Sequence, residues 1–163
     1  MENIKFLLKE IYTLLSQKNL TVATAESCTG GMIGSYLTSV PGISAYYGYG
    51  FVTYSNEAKQ KLLGVNPQTL EAYGAVSSYT AVEMAEGALR VSGADVAISV
   101  TGIAGPGGGT AQKPVGLVYV GCATAGGKRF FEKLNLSGSR EEIRLKTVQN
   151  ALTILKLRLE QYR

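Results

Sequence analysis

Residues 95–101 read Asp-Val-Ala-Ile-Ser-Val-Thr, a near-continuous apolar run. A strand with one face in water alternates between apolar and polar residues. A strand without that alternation is covered on both faces, as a central strand between layers of helices is. The rest of the chain supplies the layers. Ile4, Leu7, Leu8, Ile11, Leu14 and Leu15 recur at helical spacing and predict an amphipathic helix near 3–18. Leu20–Ala25 is a short apolar strand. Met32–Thr38 is a second helix, opening after Gly30-Gly31 and broken by Pro41-Gly42. The aromatic-rich stretch Ala45–Tyr54 is a strand. Asn56–Leu63 is a short helix with Asn56 as N-cap, stopped by Gly64. Ser78–Ser92 is a helix with Val82, Ala85 and Leu89 on one face. Val115–Thr124 and Lys128–Leu136 flank Ala125-Gly126-Gly127 as a hairpin. Ser139–Tyr162 closes the chain as a long helix, and Gly74–Ser77 and Gly102–Thr110 are irregular. Helix and strand alternate before the hairpin. The expected fold is therefore α/β: a three-layer α/β/α sandwich around a mixed, mainly parallel sheet with an antiparallel hairpin, as one domain over 1–163.

The chain has no histidine. That removes Ser-His-Asp and Cys-His catalysis and every His-ligated metal site. Proton transfer must fall to Lys, Tyr, Asp or Glu. Two cysteines are too few for a disulfide framework and point to a reducing compartment. The net charge of +4 comes without any run of four Lys or Arg, so nucleic acid is not an expected partner. The N-terminus lacks a signal-peptide layout and no apolar run approaches ~18 residues, so the expected location is cytoplasmic, away from membranes.

Four segments carry candidate chemistry. In Glu26-Ser27-Cys28-Thr29-Gly30-Gly31, Ser27 sits where a strand gives way to a helix. A hydroxyl there faces the free N–H groups of the first helical turn, which hold a developing oxyanion, and Gly30 and Gly31 let a ligand approach. Ser27 as a plain N-cap is the alternative. Cys28 is a second possible nucleophile, though it lacks a basic neighbour and fits a small buried hydrophobe. In the helix from Asn56, Lys59 shares a face with Leu62 and Leu63, while Lys61 lies about 200° away and points to solvent. An inward Lys loses solvation, its pKa falls, and it becomes a general base without histidine. A snorkelling Lys over apolar surface is the alternative. The loop Thr101-Gly102-Ile103-Ala104-Gly105-Pro106-Gly107-Gly108-Gly109 follows the central strand, where α/β proteins bind ligands, and matches no nucleotide fingerprint. Its N–H groups form either an anion nest or a plain flexible loop. Ser139 and Glu142 make a capping box, and Arg140 in the first turn opposes the helix dipole. A phosphate or carboxylate beside Arg140 explains that placement; Glu141 and Glu142 as its counter-charges are the alternative.

Five runs, in this order, resemble the C-terminal domain of the competence-damage-inducible protein A family. They are Ala25–Gly31, Gly50–Lys59, Gly74-Ala75-Val76-Ser77, Thr101–Pro106 and Lys113-Pro114-Val115-Gly116. The resemblance covers roughly Leu8 to Leu159. It implies a nicotinamide-nucleotide amidohydrolase converting nicotinamide mononucleotide to nicotinate mononucleotide and ammonia in pyridine nucleotide recycling. It also implies Ser27 as nucleophile with Tyr54 and Lys59 as activating groups. No cofactor is expected for this chemistry, and a homodimer is the expected assembly. Longer members carry an N-terminal pyrophosphatase domain, whose activity is not expected of this sequence. Around that core, Cys28, Thr29, Gly30, Gly31, Thr101, Gly102, Gly105 and Arg140 are the expected substrate contacts.

Overall fold

The structure is a computed structural model that describes residues 2–163. Six helices and five strands alternate as α1 (Glu2–Lys18), β1 (Val22–Glu26), α2 (Met32–Thr38), β2 (Tyr47–Val52), α3 (Asn56–Leu63), α4 (Pro67–Tyr73), α5 (Ser78–Ser92), β3 (Val96–Gly102), β4 (Leu117–Thr124), β5 (Arg129–Asn135) and α6 (Arg140–Gln161). The strands form one sheet in the order β2-β1-β3-β4-β5. β1 pairs in parallel with β2 and β3, and β4 runs antiparallel to both β3 and β5. Four strands therefore share a direction and β4 alone opposes them, as the hairpin signal required.

The apolar run of β3 does alternate, with large apolar side chains at 96, 98 and 100 and small ones at 97, 99 and 101. Val96, Ile98 and Val100 join Val22, Val118 and Val120 on the face covered by α1, α2 and α6. Ala97 joins Ala23, Ala25 and Ala123 on the face covered by α3, α4 and α5. Small residues bring α5 down onto the sheet. A Cβ on Gly121 would overlap the Ala81 carbonyl of α5, to which Ser99 Oγ also donates. Both faces are buried, and the two polar side chains of the strand, Ser99 and Thr101, each donate to a backbone carbonyl, of Ala81 and Ala75.

Three expectations change. The strand expected from Ala45 begins at Tyr47, because Ile43–Ala45 coils into a 3₁₀ turn after Gly42. The N-cap of α3 is Ser55, whose Oγ accepts from the Ala58 N–H; Asn56 lies inside the helix. Helix α4 was not expected at all. It is short, buries only Leu70, and is marked by an Asn66 cap and Pro67 in its first turn.

Parallel β1, β2 and β3 bring Ser27, Thr53-Tyr54 and Gly102 to one edge of the sheet. The chain leaves β1 towards β2 on one side, whereas β3 continues to β4 on the other. That divergence opens a crevice above the ends of β1 and β3, where α/β folds place ligands.

Candidate active site

Ser27 follows directly on β1, and its N–H donates to Val100 O of β3 at 3.0 Å. The next residues form a tight turn, with Gly30 N–H to Ser27 O and Met32 N–H to Thr29 O, both at 3.1 Å. Positive φ angles at Gly30 and Gly31 allow it. Helix α2 starts only at Met32, capped by Gly31, so Ser27 is not its N-cap. Nor do the first-turn donors of α2 reach the serine. The fully buried Glu26 carboxylate takes the Ile33 and Gly34 N–H groups at 2.9 and 3.0 Å, and the Thr29 hydroxyl at 2.5 Å. An acid at this end suits the helix dipole. The expectation that those N–H groups hold an oxyanion is therefore corrected. The Thr29 N–H has no acceptor among the described residues.

Lys59 arrives from the other side on α3. It is only 1% exposed, the largest fully buried side chain among the described residues, while Lys61 is exposed. Of the two leucines expected to share its face, Leu63 is buried and Leu62 is half exposed. The Lys59 ammonium donates to Ser27 Oγ at 3.0 Å, Thr53 O at 2.8 Å and Tyr54 O at 3.3 Å. Among the described residues no carboxylate pairs with it. Burial lowers its pKa from 10.5 to about 8. The three contacts decide what proton loss does. Two are carbonyl oxygens, which only accept, so neutral Lys59 keeps its two protons on them. Its lone pair then faces the Ser27 hydroxyl, the geometry of a general base. Cys28 lies beside the pair, but burial pushes its thiol up to about 12, so it stays protonated.

Ser27, Cys28 and Lys59 open into a cavity of about 250 Å³. Thr101 and Gly102 at the end of β3, with Ala104 beyond it, form one wall, Ala75 and Val76 another, and Tyr54 and Arg140 the mouth. Arg140 donates to Gly105 O at 2.7 Å and to the Tyr54 hydroxyl at 3.3 Å. The capping box is present, with Glu142 bound back to Ser139, and among the described residues Arg140 has no carboxylate partner. The remaining donors of its guanidinium are open to a ligand.

Several expected contacts take other roles. Tyr54 touches Lys59 through its carbonyl; the residue is 64% exposed and its hydroxyl is bonded to Arg140, outside any relay between Ser27 and Lys59. The Thr101 hydroxyl donates to Ala75 O at 2.8 Å and ties the loop before α5 to the end of β3. Gly105 enters through its carbonyl. Thr29, Gly30 and Gly31 shape the turn, which meets the cavity at Ser27 and Cys28. The sequence reading missed Glu26, Ala75, Val76 and Arg144. Arg144 donates to Cys28 O and Thr29 O, both at 3.1 Å. Its signal was its spacing, one helical turn beyond Arg140.

The fold and the site together define a class: an α/β protein in which a serine and a buried lysine meet at the ends of parallel strands. Within that class, the chain belongs to the CinA family, whose C-terminal domain model matches residues 4–159. A relative in Acetivibrio thermocellus, named as a competence-damage inducible protein, is 56% identical over 143 residues, covering 88% of this chain and 34% of that protein. The chain thus spans about a third of the length of such relatives. Solved structures match over nearly their whole length. The competence/damage inducible protein CihA from Agrobacterium tumefaciens has 48% identity and a TM-score of 0.94, over 97% of this chain and 96% of that one. The competence damage-inducible protein A (ComA) from Klebsiella pneumoniae has 35% identity and a TM-score of 0.94, over 98% and 99%. Among the described residues, no helix is long and apolar enough to cross a membrane.

Proposed function

We propose that this protein is a cytoplasmic amidohydrolase that deamidates nicotinamide mononucleotide to nicotinate mononucleotide and ammonia. The observation that carries the reading is the 3.0 Å contact between Lys59 Nζ and Ser27 Oγ, with the lysine buried and its pKa near 8. Neutral Lys59 takes the Ser27 proton as Oγ attacks the carboxamide carbon. The negative oxygen turns to backbone N–H groups of the turn after Ser27, among them that of Thr29, which has no acceptor among the described residues. Protonated Lys59 returns the proton to the departing nitrogen, and ammonia leaves an acyl-serine. Water, deprotonated by the same lysine, then cleaves the ester. The pyridinium ring of the substrate withdraws electrons from the amide and aids attack.

Arg140 supports the choice of a phosphorylated substrate, since it stands at the mouth with free donors and no carboxylate partner among the described residues. The test is ammonia release from nicotinamide mononucleotide, nicotinamide riboside and nicotinamide. The riboside keeps the pyridinium charge and lacks only the phosphate. A charge-assisted contact is worth roughly 1.5–3 kcal/mol, so the mononucleotide should lead in kcat/KM by about 10- to 150-fold. Arg140→Ala should shrink that lead. Equal values for the two substrates would mean that no phosphate is read. Turnover of unrelated amides alone would make the protein a different amidase, and binding without turnover would make it a nucleotide-binding module.

The partner proposed is a second copy of this chain, seated on β2. This strand is an edge of the sheet, and Tyr49 and Val52 on it are half exposed. Natural edges are guarded by charge, yet residues 27–56 contain no Asp, Glu, Lys or Arg. Two such edges meet across a twofold axis without like-charge repulsion. Sedimentation velocity should show a dimer that Tyr49→Lys converts to monomer; a wild-type monomer at micromolar concentration removes the proposal.

A further inference from the structure

We propose that Arg144 is a positioning residue that aims and polarises the oxyanion donors of the turn after Ser27. The inference rests on the serine–lysine reading of the site. Arg144 lies on α6, one turn beyond Arg140, and reaches the nucleophile turn from outside the cavity. Its Nε donates to Cys28 O and its Nη2 to Thr29 O, each at 3.1 Å. Two consecutive carbonyls are thus held by one planar fork, a geometry that arginine has and lysine lacks.

The consequence follows from the peptide bond. In a trans peptide the C=O and the N–H point in opposite directions. Holding the Cys28 carbonyl towards α6 therefore aims the Thr29 N–H, in the same peptide unit, away from α6. Holding the Thr29 carbonyl does the same for the Gly30 N–H, which donates to Ser27 O at 3.1 Å. The Gly30 bond locks the turn. The Thr29 N–H has no acceptor among the described residues and is left as a fixed donor. A cation on the carbonyl end of a peptide also strengthens the dipole at its N–H end.

Arg144 keeps its charge for this purpose. Among the described residues it forms no ion pair with a carboxylate. Its field reaches the cavity wall, where it favours the anionic form of Cys28 against the larger effect of burial. The same field favours negative charge on a reacting oxygen bound to Ser27.

Arg144→Met and Arg144→Lys in the full chain provide the test. With nicotinamide mononucleotide, both should lose roughly 10- to 100-fold in kcat with KM within about threefold, a share of what losing an oxyanion donor costs. Lys should lose less than Met, since it restores the charge without the fork. Guanidinium ion at millimolar concentration should raise kcat of Arg144→Ala. A second readout does not depend on the substrate reading: the rate at which a fluorophosphonate labels Ser27, followed by intact mass. That reaction also builds negative oxygen beside the serine, so labelling should slow in the same variants at unchanged melting temperature. Wild-type protein that labels at Ser27 but releases no ammonia, with slower labelling in the variants, sinks the substrate and sustains the Arg144 role. Unchanged kcat and labelling in Arg144→Met overturn it. So does an equal loss in every variant that follows melting temperature and is not recovered by guanidinium. A wild-type Ser27 that does not label at all overturns it together with the serine reading.

Discussion

Ser27 and Cys28 are adjacent, both line the cavity, and both are nucleophiles by element, yet their surroundings assign them different work. Ser27 has the Lys59 amine at 3.0 Å, while the Cys28 thiol is held protonated by burial, with a pKa of about 12. Ser27→Ala should therefore abolish nearly all ammonia release, and Cys28→Ala should keep most of it. The reverse pattern would transfer the nucleophile to the thiol. Lys59 sets the pH dependence. With a pKa near 8, about a tenth of it is neutral at pH 7, and only that fraction accepts the serine proton. kcat/KM should rise with pH through a midpoint close to 8, and Lys59→Met should lose on the order of 10²–10⁴ in kcat. The exposed Lys61→Met should match wild type. A profile flat from pH 6 to 9 would take Lys59 out of the mechanism.

Helix α3 exists to deliver one side chain, so its ends matter to the site. The Ser55 hydroxyl accepts from the Ala58 N–H at 3.0 Å, one turn before the lysine. Ser55→Ala should cost about 1 kcal/mol in urea unfolding, and Asn56→Ala should stay within about 0.5 kcal/mol, since Asn56 caps nothing. Equal losses would return the cap to Asn56. This one-residue slip marks where the sequence was legible and where it was not. The helical period of 3.6 placed Lys59 inward and Lys61 outward, because burial repeats along a helix and needs no partner to be known. The long helices and β3 were legible for the same reason. A cap depends on one dihedral angle, and Ser55 and Asn56 are both good caps. Helix α4 has seven residues and one buried side chain, too little period to detect. The wall at Ala75 and Val76, and the grip of Arg144 on residues 28 and 29, join segments far apart in sequence. Nothing local encodes such contacts. Glu26 was visible in the motif but its task was not, because capping α2 requires the turn at Gly30-Gly31 to fold back on it.

At the scale of the molecule, a buried base makes folding depend on pH. Unfolded Lys59 holds its proton up to 10.5, whereas folded Lys59 releases it near 8. Below pH 8 both states are protonated, and the folded state bears the full penalty of a buried ammonium, about 3 kcal/mol for that difference in pKa. Between pH 8 and 10.5 the unfolded state binds more protons, so stability rises with pH in that window. The two thiols act in the opposite sense. Burial raises Cys28 and Cys122 from 9.0 to about 12, so above pH 9 the unfolded chain ionises first and stability falls. The wild-type curve mixes these trends, and a comparison with Lys59→Met separates them, because the thiols are present in both proteins. Urea unfolding at pH 7.5 and pH 10 should show wild type gaining about 2 kcal/mol on the variant over that interval. The absolute order of the two proteins carries no weight, since the variant also strips a donor from the Thr53 and Tyr54 carbonyls. A difference that does not move with pH would mean that Lys59 has the same proton affinity folded and unfolded. The lysine would then lack the lowered basicity on which its role at Ser27 depends.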